Sequence, residues 1–129
     1  MVLALSLAGP AQAQLFECRG TQKSQQIAEL IFGRSVAGNV AVSEAEWVLF
    51  VDQEITPRFP DGLTVFDASG QWRDKMSNRI IRESSKIVLL VLPGKDDDLA
   101  LLNAVVDAYK RYFGQQSVGM ILRPACVSF

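Results

Sequence analysis

The 129-residue sequence contains no histidine and only two cysteines. The lack of histidine removes the commonest general base and the commonest metal ligand, and it excludes the usual serine or cysteine triads. Two cysteines are too few for an iron–sulfur cluster, and without histidine they are too few for a zinc site. We therefore predict no metal and no cofactor, and any acid–base chemistry must use carboxylates, tyrosine, lysine or solvent.

Excess charge and long apolar runs are also missing. The formal net charge is −1, with both signs interspersed, so there is no electrostatic reason to expect nucleic acid or an anionic membrane as a partner. No stretch approaches the ~20 apolar residues of a transmembrane helix. Apolar residues nevertheless make up 49% of the chain, which suffices for one globular domain with its own core.

The first residues are typical of a processing signal. A short apolar run (residues 2–8) ends at a glycine and a proline, and the small-x-small pattern AQA follows at residues 11–13, as signal peptidase requires. We predict that residues 1–13 are a signal peptide whose basic region lies further upstream, and that residues 14–129 form a single domain. The alternative is a buried N-terminal strand or helix. We expect the protein to be periplasmic or secreted.

Cys18 and Cys126 lie near the two ends of the predicted mature chain. In an oxidising compartment, an even pair of cysteines predicts a disulfide. Closing so long a loop would stabilise the fold by up to ~4–5 kcal/mol on the chain-entropy model. The alternative is two buried free thiols, since free cysteine is among the most buried residue types.

Apolar patterns and turn residues predict the strands. Asp67 to Gly70 has the composition of a short hairpin loop, with Gly70 in a left-handed conformation. The segment from Arg79 to Glu83 is compatible with a short strand or a helical turn, and Pro124 begins a C-terminal tail. The predicted strands are Ile27 to Arg34, Leu63 to Phe66, Lys86 to Leu92 and Ser117 to Arg123.

Two amphipathic helices are predicted. Ser43 and Glu46 form a capping box at the start of the first, and Gly114 ends the second. The first should turn Trp47, Val48, Val51 and Ile55 to the core, with Phe50 at the margin. The second should turn Leu99, Leu102, Val106, Tyr109 and Phe113 to the core.

This order of elements predicts an α+β fold of the ferredoxin-like βαββαβ type, an antiparallel sheet with both helices on one face. The strand KIVLLVL at residues 86–92 does not alternate between apolar and polar residues, so both of its sides should leave water. We therefore expect a homodimer in which a second copy covers the open sheet face.

The segment from Glu54 to Arg73 is the candidate functional region. Pro57 and Pro60 stiffen it, and rigid loops often hold binding groups. Arginine grips a carboxylate or phosphate through paired hydrogen bonds and tryptophan offers a flat apolar wall, which would suit a small anionic or aromatic ligand. The predicted ligand-binding residues are Arg58, Asp61, Trp72, Arg73, Arg82 and Glu83, with Arg34, Glu54 and Tyr109 as neighbours. The alternative is that these charges pair with each other and clamp the hairpin to the helices.

Five segments resemble a family of small exported bacterial proteins catalogued as a domain of unknown function. They are ELIFGR at 29–34, SEAEWVLF at 43–50, EITPRFPDGLTVFDASGQW at 54–72, RESSK at 82–86 and PACVSF at 124–129. The resemblance implies an exported α+β domain of this size and supplies no reaction.

Two functional hypotheses follow. The first is a non-catalytic periplasmic domain that binds a small ligand or a partner. The second is a small enzyme of the dimeric α+β barrel type that acts on a small anionic or aromatic molecule. In that enzyme, Arg58, Asp61, Glu83 or Tyr109 would handle protons, a hypothesis that depends on fold analogy.

Overall fold

A four-stranded antiparallel sheet organises the computed structural model, which describes residues 17–36 and 39–129. The elements in chain order are β1 (Lys23–Gly33), β2 (Ser35–Val36), β3 (Asn39–Val40), α1 (Glu44–Phe50), a π-helical turn (Val51–Ile55), β4 (Thr64–Arg73), β5 (Ile80–Val91), α2 (Asp98–Phe113) and β6 (Gly119–Val127). The strand order in the sheet is β4-β5-β1-β6, and β2 pairs with β3 in a separate ribbon. The described part of the chain thus confirms the α+β class, with one antiparallel sheet of four strands and two helices.

Phe32 on β1 connects both helices to the sheet. Its ring centroid lies 5.2 Å from that of Trp47 on α1 and 4.7 Å from that of Tyr109 on α2. All three side chains are buried, and each such pair adds about 0.5–1.5 kcal/mol to the stabilisation from burial. Because residues two apart on a strand share a face, Leu30 joins the same core. Both helices therefore cover one face of the sheet, and we call the opposite side the open face.

Ser43 begins α1 with the predicted capping box. Glu46 N donates to Ser43 Oγ at 3.2 Å, and Ser43 N donates to Glu46 Oε2 at 2.8 Å. The π-helical turn that follows is wide enough for Phe50 and Ile55, five residues apart, both to face the core. The prediction for Val48 is wrong: it is 50% exposed, because the helix turns Phe50 inward in its place.

Gly114 ends α2 in the left-handed conformation, with φ at 61°, as predicted. Within the expected apolar stripe, Leu102 and Tyr109 are fully buried, but Leu99 is 53% exposed. The first turn of the helix directs Asp98 inward instead. One oxygen of its carboxylate accepts hydrogen bonds from two backbone N–H groups of the preceding loop, at 2.8 and 3.0 Å.

The hairpin turn lies further along the chain than predicted. Residues 67–70 have turn composition, but they belong to β4, and Gly70 pairs with Glu83 instead of adopting a left-handed conformation. β5 is twelve residues long, so it supplies a hydrogen-bonding partner for the whole of β4. A turn at 67–70 would leave those backbone groups without their ladder partners, which costs free energy.

The observed turn occupies residues 74–79. The Asp74 carboxylate accepts hydrogen bonds from Met76 N at 3.2 Å and from Ser77 Oγ at 2.6 Å. Asn78 adopts a φ of 56°, a conformation that asparagine tolerates better than most residues. The segment from 79 to 83, compatible from its sequence with a strand or a helical turn, enters β5 at residue 80 and is strand from there on.

β6 continues past the predicted end of the last strand. The prediction that Pro124 begins a tail is wrong, because it pairs with Gln26 inside the strand. Proline is tolerated there because β6 lies at the edge of the sheet. The longer strand contains Cys126, whose Cα lies 5.3 Å from that of Cys18, and the predicted disulfide between them is confirmed.

The predicted signal peptide, residues 1–13, lies outside the described residues. Within the described ranges, no helix combines the length and the apolar character needed to cross a membrane.

Candidate functional site

Arg58, at the centre of the proline-flanked segment, is bound by the helical turn that precedes it. Its Nη1 donates to the Glu54 carboxylate at 2.7 Å and to the Glu54 carbonyl at 2.6 Å. The other carboxylate oxygen of Glu54 accepts from the Tyr112 hydroxyl of α2 at 3.0 Å. Burial raises the pKa of Glu54, but the hydrogen bonds from Tyr112 and Arg58 and the charge of Arg58 outweigh it, so this pKa lies below its usual value. Arg58 and Glu54 therefore pair with each other, as in the alternative to a binding site, but their contacts join the π-helical turn to α2 and do not include the hairpin.

The other predicted site residues are divided between the two faces of the arm that β4 and β5 form. Successive residues on a strand point to opposite faces. Trp72 and Glu83 share the open face, where Trp72 Nε1 donates to Glu83 Oε1 at 3.1 Å. Arg73 and Arg82 project to the other face, and Asp61 is exposed on the turn before β4. The structure thus brings together two of the six predicted residues.

Trp72 and Glu83 line a cavity of about 660 Å³ at one end of the open face. The β4–β5 arm forms one wall, and the connection between α2 and β6 (residues 114–117) forms the other. Three positions without side chains, Gly33, Gly70 and Gly119, open the sheet at this point. The volume falls within the range of about 300–1,000 Å³ that is usual for small-molecule sites.

Two neutral donors hold the Glu83 carboxylate in this cavity. Its Oε1 accepts from Trp72 Nε1, and its Oε2 accepts from Ser35 N at 3.2 Å. The carboxylate lies directly over Gly33, where an added Cβ would lie 2.9 Å from Oε1. Because a carboxylate accepts about four hydrogen bonds, both oxygens can accept a further bond from a ligand.

The cavity has an excess of negative charge. Among the described residues, the charged side chains of its lining are those of Glu83 and Asp74. No ion pair among the described residues includes Glu83, whereas the half-buried Glu29 and Glu54 each pair with an arginine. The described residues also contain no cluster of acids and cysteines suited to a metal ion.

Arg34 and Tyr109, predicted as neighbours of the site, serve the surrounding structure. The Arg34 guanidinium donates to the Val42 carbonyl at 2.9 Å and lies 3.3 Å from the Glu44 carboxylate. The Tyr109 hydroxyl donates to the Gly33 carbonyl at 2.8 Å. Burial raises the pKa of Tyr109 far above its usual value, and its side chain has no exposed surface. Its hydroxyl therefore supports the end of β1 and is not open to a ligand.

The glycines that open the cavity were not among the site residues predicted from the sequence. Gly33 lies in the same strand phase as Ile31, and Gly119 pairs with Ile31 across the sheet. A glycine inside a strand often marks a close approach of a ligand or of another chain segment, so this signal was available in the sequence. Ser35 acts through its backbone N–H, for which the sequence has no signal.

The fold and the cavity together define a small α+β domain with a ligand-sized cleft on its open sheet face. The chain belongs to the family described as Protein of unknown function (DUF3574), which matches residues 27–129. This match confirms the predicted resemblance to a domain of unknown function. No curated protein matches the chain significantly.

Solved structures with a similar fold include a phage SAM lyase in complex with S-methyl-5'-thioadenosine. The TM-score is 0.64 at 13% identity, over 89% of this chain and 95% of that one. A phage SAM lyase in the apo state gives a TM-score of 0.61 at 14% identity, over 88% and 91% of the two chains. At these identities, the similarity shows the fold alone.

Proposed function

We propose that this chain is an exported, non-catalytic domain that binds a small molecule in the cavity between Trp72 and Glu83. The main observation is that an indole with 49% exposure and a half-buried carboxylate meet in a cleft opened by glycines. The indole face offers a stacking surface, and the carboxylate fixes orientation through hydrogen bonds.

The ligand class we favour contains a flat aromatic ring. A small anion at Arg58, the other class predicted from the sequence, has less support. Such an anion would have to displace the Glu54 carboxylate, which already lies 2.7 Å from Arg58 Nη1. The lining that the structure describes contains no lysine or arginine to receive it instead.

We assign the fold to the ferredoxin-like βαββαβ class. The major elements follow in the order β1, α1, β4, β5, α2, β6. The strand order β4-β5-β1-β6 supports the assignment, since the two central strands, β1 and β5, each lead into one of the two helices.

Export is supported by the disulfide between Cys18 and Cys126, since such bonds persist in oxidising compartments. We propose that residues 1–13 belong to the cleaved leader. N-terminal sequencing of the protein from the periplasm should then begin at Gln14. Recovery of the protein in the reduced cytosolic fraction alone would contradict export.

A homodimer through the open face is also part of the proposal. Outside the lining of the cavity, this face exposes Phe66 at 48% and Ile121 at 45%. A second copy packed sheet to sheet would remove both from water. Size-exclusion chromatography with light scattering should give twice the monomer mass for the wild type and the monomer mass for Phe66→Lys. A monomeric wild type would contradict this part of the proposal.

Ligand binding is tested first by native mass spectrometry of protein purified from the periplasm, which reports any retained small molecule. S-methyl-5'-thioadenosine is a suitable probe, because its purine ring is flat and the similarly folded phage SAM lyase holds it. Stacking on an aromatic side chain is worth ~1–3 kcal/mol, so Trp72→Ala should weaken binding by about fivefold or more.

Phe129→Ala is the matched control for that variant. It removes a fully exposed aromatic side chain that lies outside the cavity lining. Its affinity for the probe should equal that of the wild type. Equal affinity in Trp72→Ala would contradict the proposed site.

A catalytic role for Glu83 is the second candidate. Two observations favour this role: the Glu83 carboxylate faces a ligand-sized cavity, and it forms no ion pair within the described chain. Because the similar fold belongs to a SAM lyase, S-adenosylmethionine is the first substrate to test, with chromatography to detect S-methyl-5'-thioadenosine. Turnover that disappears in Glu83→Gln would favour the enzyme, and no turnover would favour the binding domain.

A further inference from the structure

We infer that the ligand of this cavity is an organic cation whose positive charge lies against the Glu83 carboxylate and the Trp72 indole. The inference rests on the proposed binding function and names the chemical class of the ligand. It depends on the charges around the cavity, on the orientation of the indole and on the position of the nearby arginines.

Two other half-buried carboxylates of the described structure have a cation beside them, whereas the buried Asp98 accepts hydrogen bonds from backbone N–H groups. Glu54 pairs with Arg58 at 2.7 Å, and Glu29 pairs with Arg123 at 2.6 Å. Glu83 is also half-buried, but within the described chain its carboxylate accepts only from a backbone N–H and an indole N–H. Removing a charge from water without a counter-charge costs free energy. A cationic ligand would supply that counter-charge.

The indole of Trp72 is oriented to complement the carboxylate. Its N–H edge points to Glu83 at 3.1 Å, and about half of its surface remains exposed. The face of an indole attracts cations, ammonium and other organic cations among them. A cation beside Glu83 therefore gains from the carboxylate and from the aromatic ring together.

The β4–β5 arm keeps its own positive charges away from this point. Arg73 and Arg82 follow and precede the two site residues, so strand alternation places them on the opposite face. Asp74 adds a second negative charge to the lining. Among the described residues of the lining, an anionic ligand would meet two carboxylates and no cation.

The test uses three small probes that share a 3-substituted pyridine ring and differ in charge: 1-methylnicotinamide (cation), nicotinamide (neutral) and nicotinate (anion). Affinities are measured by tryptophan fluorescence and by calorimetry on the full-length protein. We expect the cation to bind about fivefold or more tightly than the neutral amide, and nicotinate to bind most weakly. The preference for the cation should decrease as salt is added, because salt screens the charges.

Glu83→Gln keeps the size of the side chain and an acceptor for Trp72 while removing the charge. In this variant, the ratio of cation to neutral affinity should fall to the smaller preference that Trp72 and Asp74 alone provide. Asp52→Asn is the matched control, because Asp52 is an exposed acid on the π-helical turn, away from the cavity lining. Its ratio should equal that of the wild type. Thermal unfolding of both variants checks that they fold.

A wild type that binds the neutral or anionic probe at least as tightly as the cation would overturn the inference and leave the proposed binding function intact. An unchanged ratio in Glu83→Gln, or a preference that does not respond to salt, would also overturn it. If no probe binds and no molecule is retained in native mass spectrometry, the inference and the proposed function both fail.

Discussion

Replacing Gly33 by alanine should disable the cavity with little effect on stability. The added Cβ would lie 2.9 Å from Glu83 Oε1 and 3.1 Å from its Oε2, and ordinary contact begins at 3.4 Å. The carboxylate must therefore move by about half an ångström or more. Gly33 is not among the glycines with positive φ, so alanine can adopt its backbone conformation.

Two opposing terms determine the change in the free energy of unfolding. The displaced carboxylate loses hydrogen bonds from Trp72 and Ser35, which are worth about 1.5–3 kcal/mol each when fully buried. Glu83 is only half-buried, so water replaces part of that loss. Alanine also reduces the conformational freedom of the unfolded chain, which stabilises the folded state by about 0.4–1 kcal/mol. We expect a net destabilisation of about 1 kcal/mol, together with a loss of cation binding of about tenfold.

Urea unfolding followed by circular dichroism measures the stability, and fluorescence titration with 1-methylnicotinamide measures binding. Gly70→Ala, on the strand next to that of Glu83 and in the lining of the same cavity, is the matched control for the position of the Glu83 carboxylate. Its added Cβ would lie 3.7 Å from Ser85 Oγ, an ordinary contact that leaves the Glu83 carboxylate in place. The emission maximum of Trp72 should therefore shift in Gly33→Ala, where the N–H loses its carboxylate partner, and should stay constant in Gly70→Ala.

Unchanged emission and unchanged affinity in Gly33→Ala would refute this reasoning. They would mean that the Glu83 carboxylate does not depend on the absence of a side chain at residue 33. A destabilisation above about 3 kcal/mol would point instead to an overpacked core, because the atoms around residue 33 would then be unable to move aside for the added methyl group.

Three further changes test the fold. Cys126→Ser should lower the free energy of unfolding by up to about 4.7 kcal/mol on the chain-entropy model, because the bond to Cys18 spans 108 residues; reduced wild type should unfold at the same urea concentration. Ser43→Ala should cost about 1 kcal/mol through loss of the capping box, read from the same urea curves. Tyr109→Phe should cost about 1–3 kcal/mol at pH 7 through loss of its hydrogen bond to Gly33. Because burial raises the pKa of Tyr109, its contribution is complete below about pH 10 and is lost as the pH rises through the folded-state value. Above pH 10, the wild type should therefore lose up to ~1.4 kcal/mol more per pH unit than Tyr109→Phe, and parallel curves would contradict this assignment.

Features with local causes were predictable from the sequence. The capping box of Ser43 depends on residues three apart, and the left-handed Gly114 depends on the end of one helix. The strand at residues 86–92 is apolar on both sides and could be read without knowing its partners. The disulfide between Cys18 and Cys126 followed from compartment and number, although its geometry depends on a strand that extends past Pro124.

The position of the β4–β5 turn was not predictable in the same way. Residues 67–70 and residues 74–79 both contain turn-forming side chains, so local propensity does not choose between them. The choice depends on a ladder that pairs Thr64 with Leu89 and Arg73 with Ile80. That ladder is long-range, and its total hydrogen bonding outweighs the preference of any one tetrapeptide.

The same ladder decides the charge of the candidate site. A one-residue shift of a strand exchanges its two faces, so Trp72 and Arg73 cannot both face the cavity, and neither can Arg82 and Glu83. Grouping all four from the sequence treated neighbours along the chain as neighbours in space and predicted an anionic or aromatic ligand. The observed phase selects the indole and the carboxylate and turns both guanidinium groups away. With the opposite phase, the cavity would display two arginines and would suit an anion, so the class of ligand follows from strand register more than from composition.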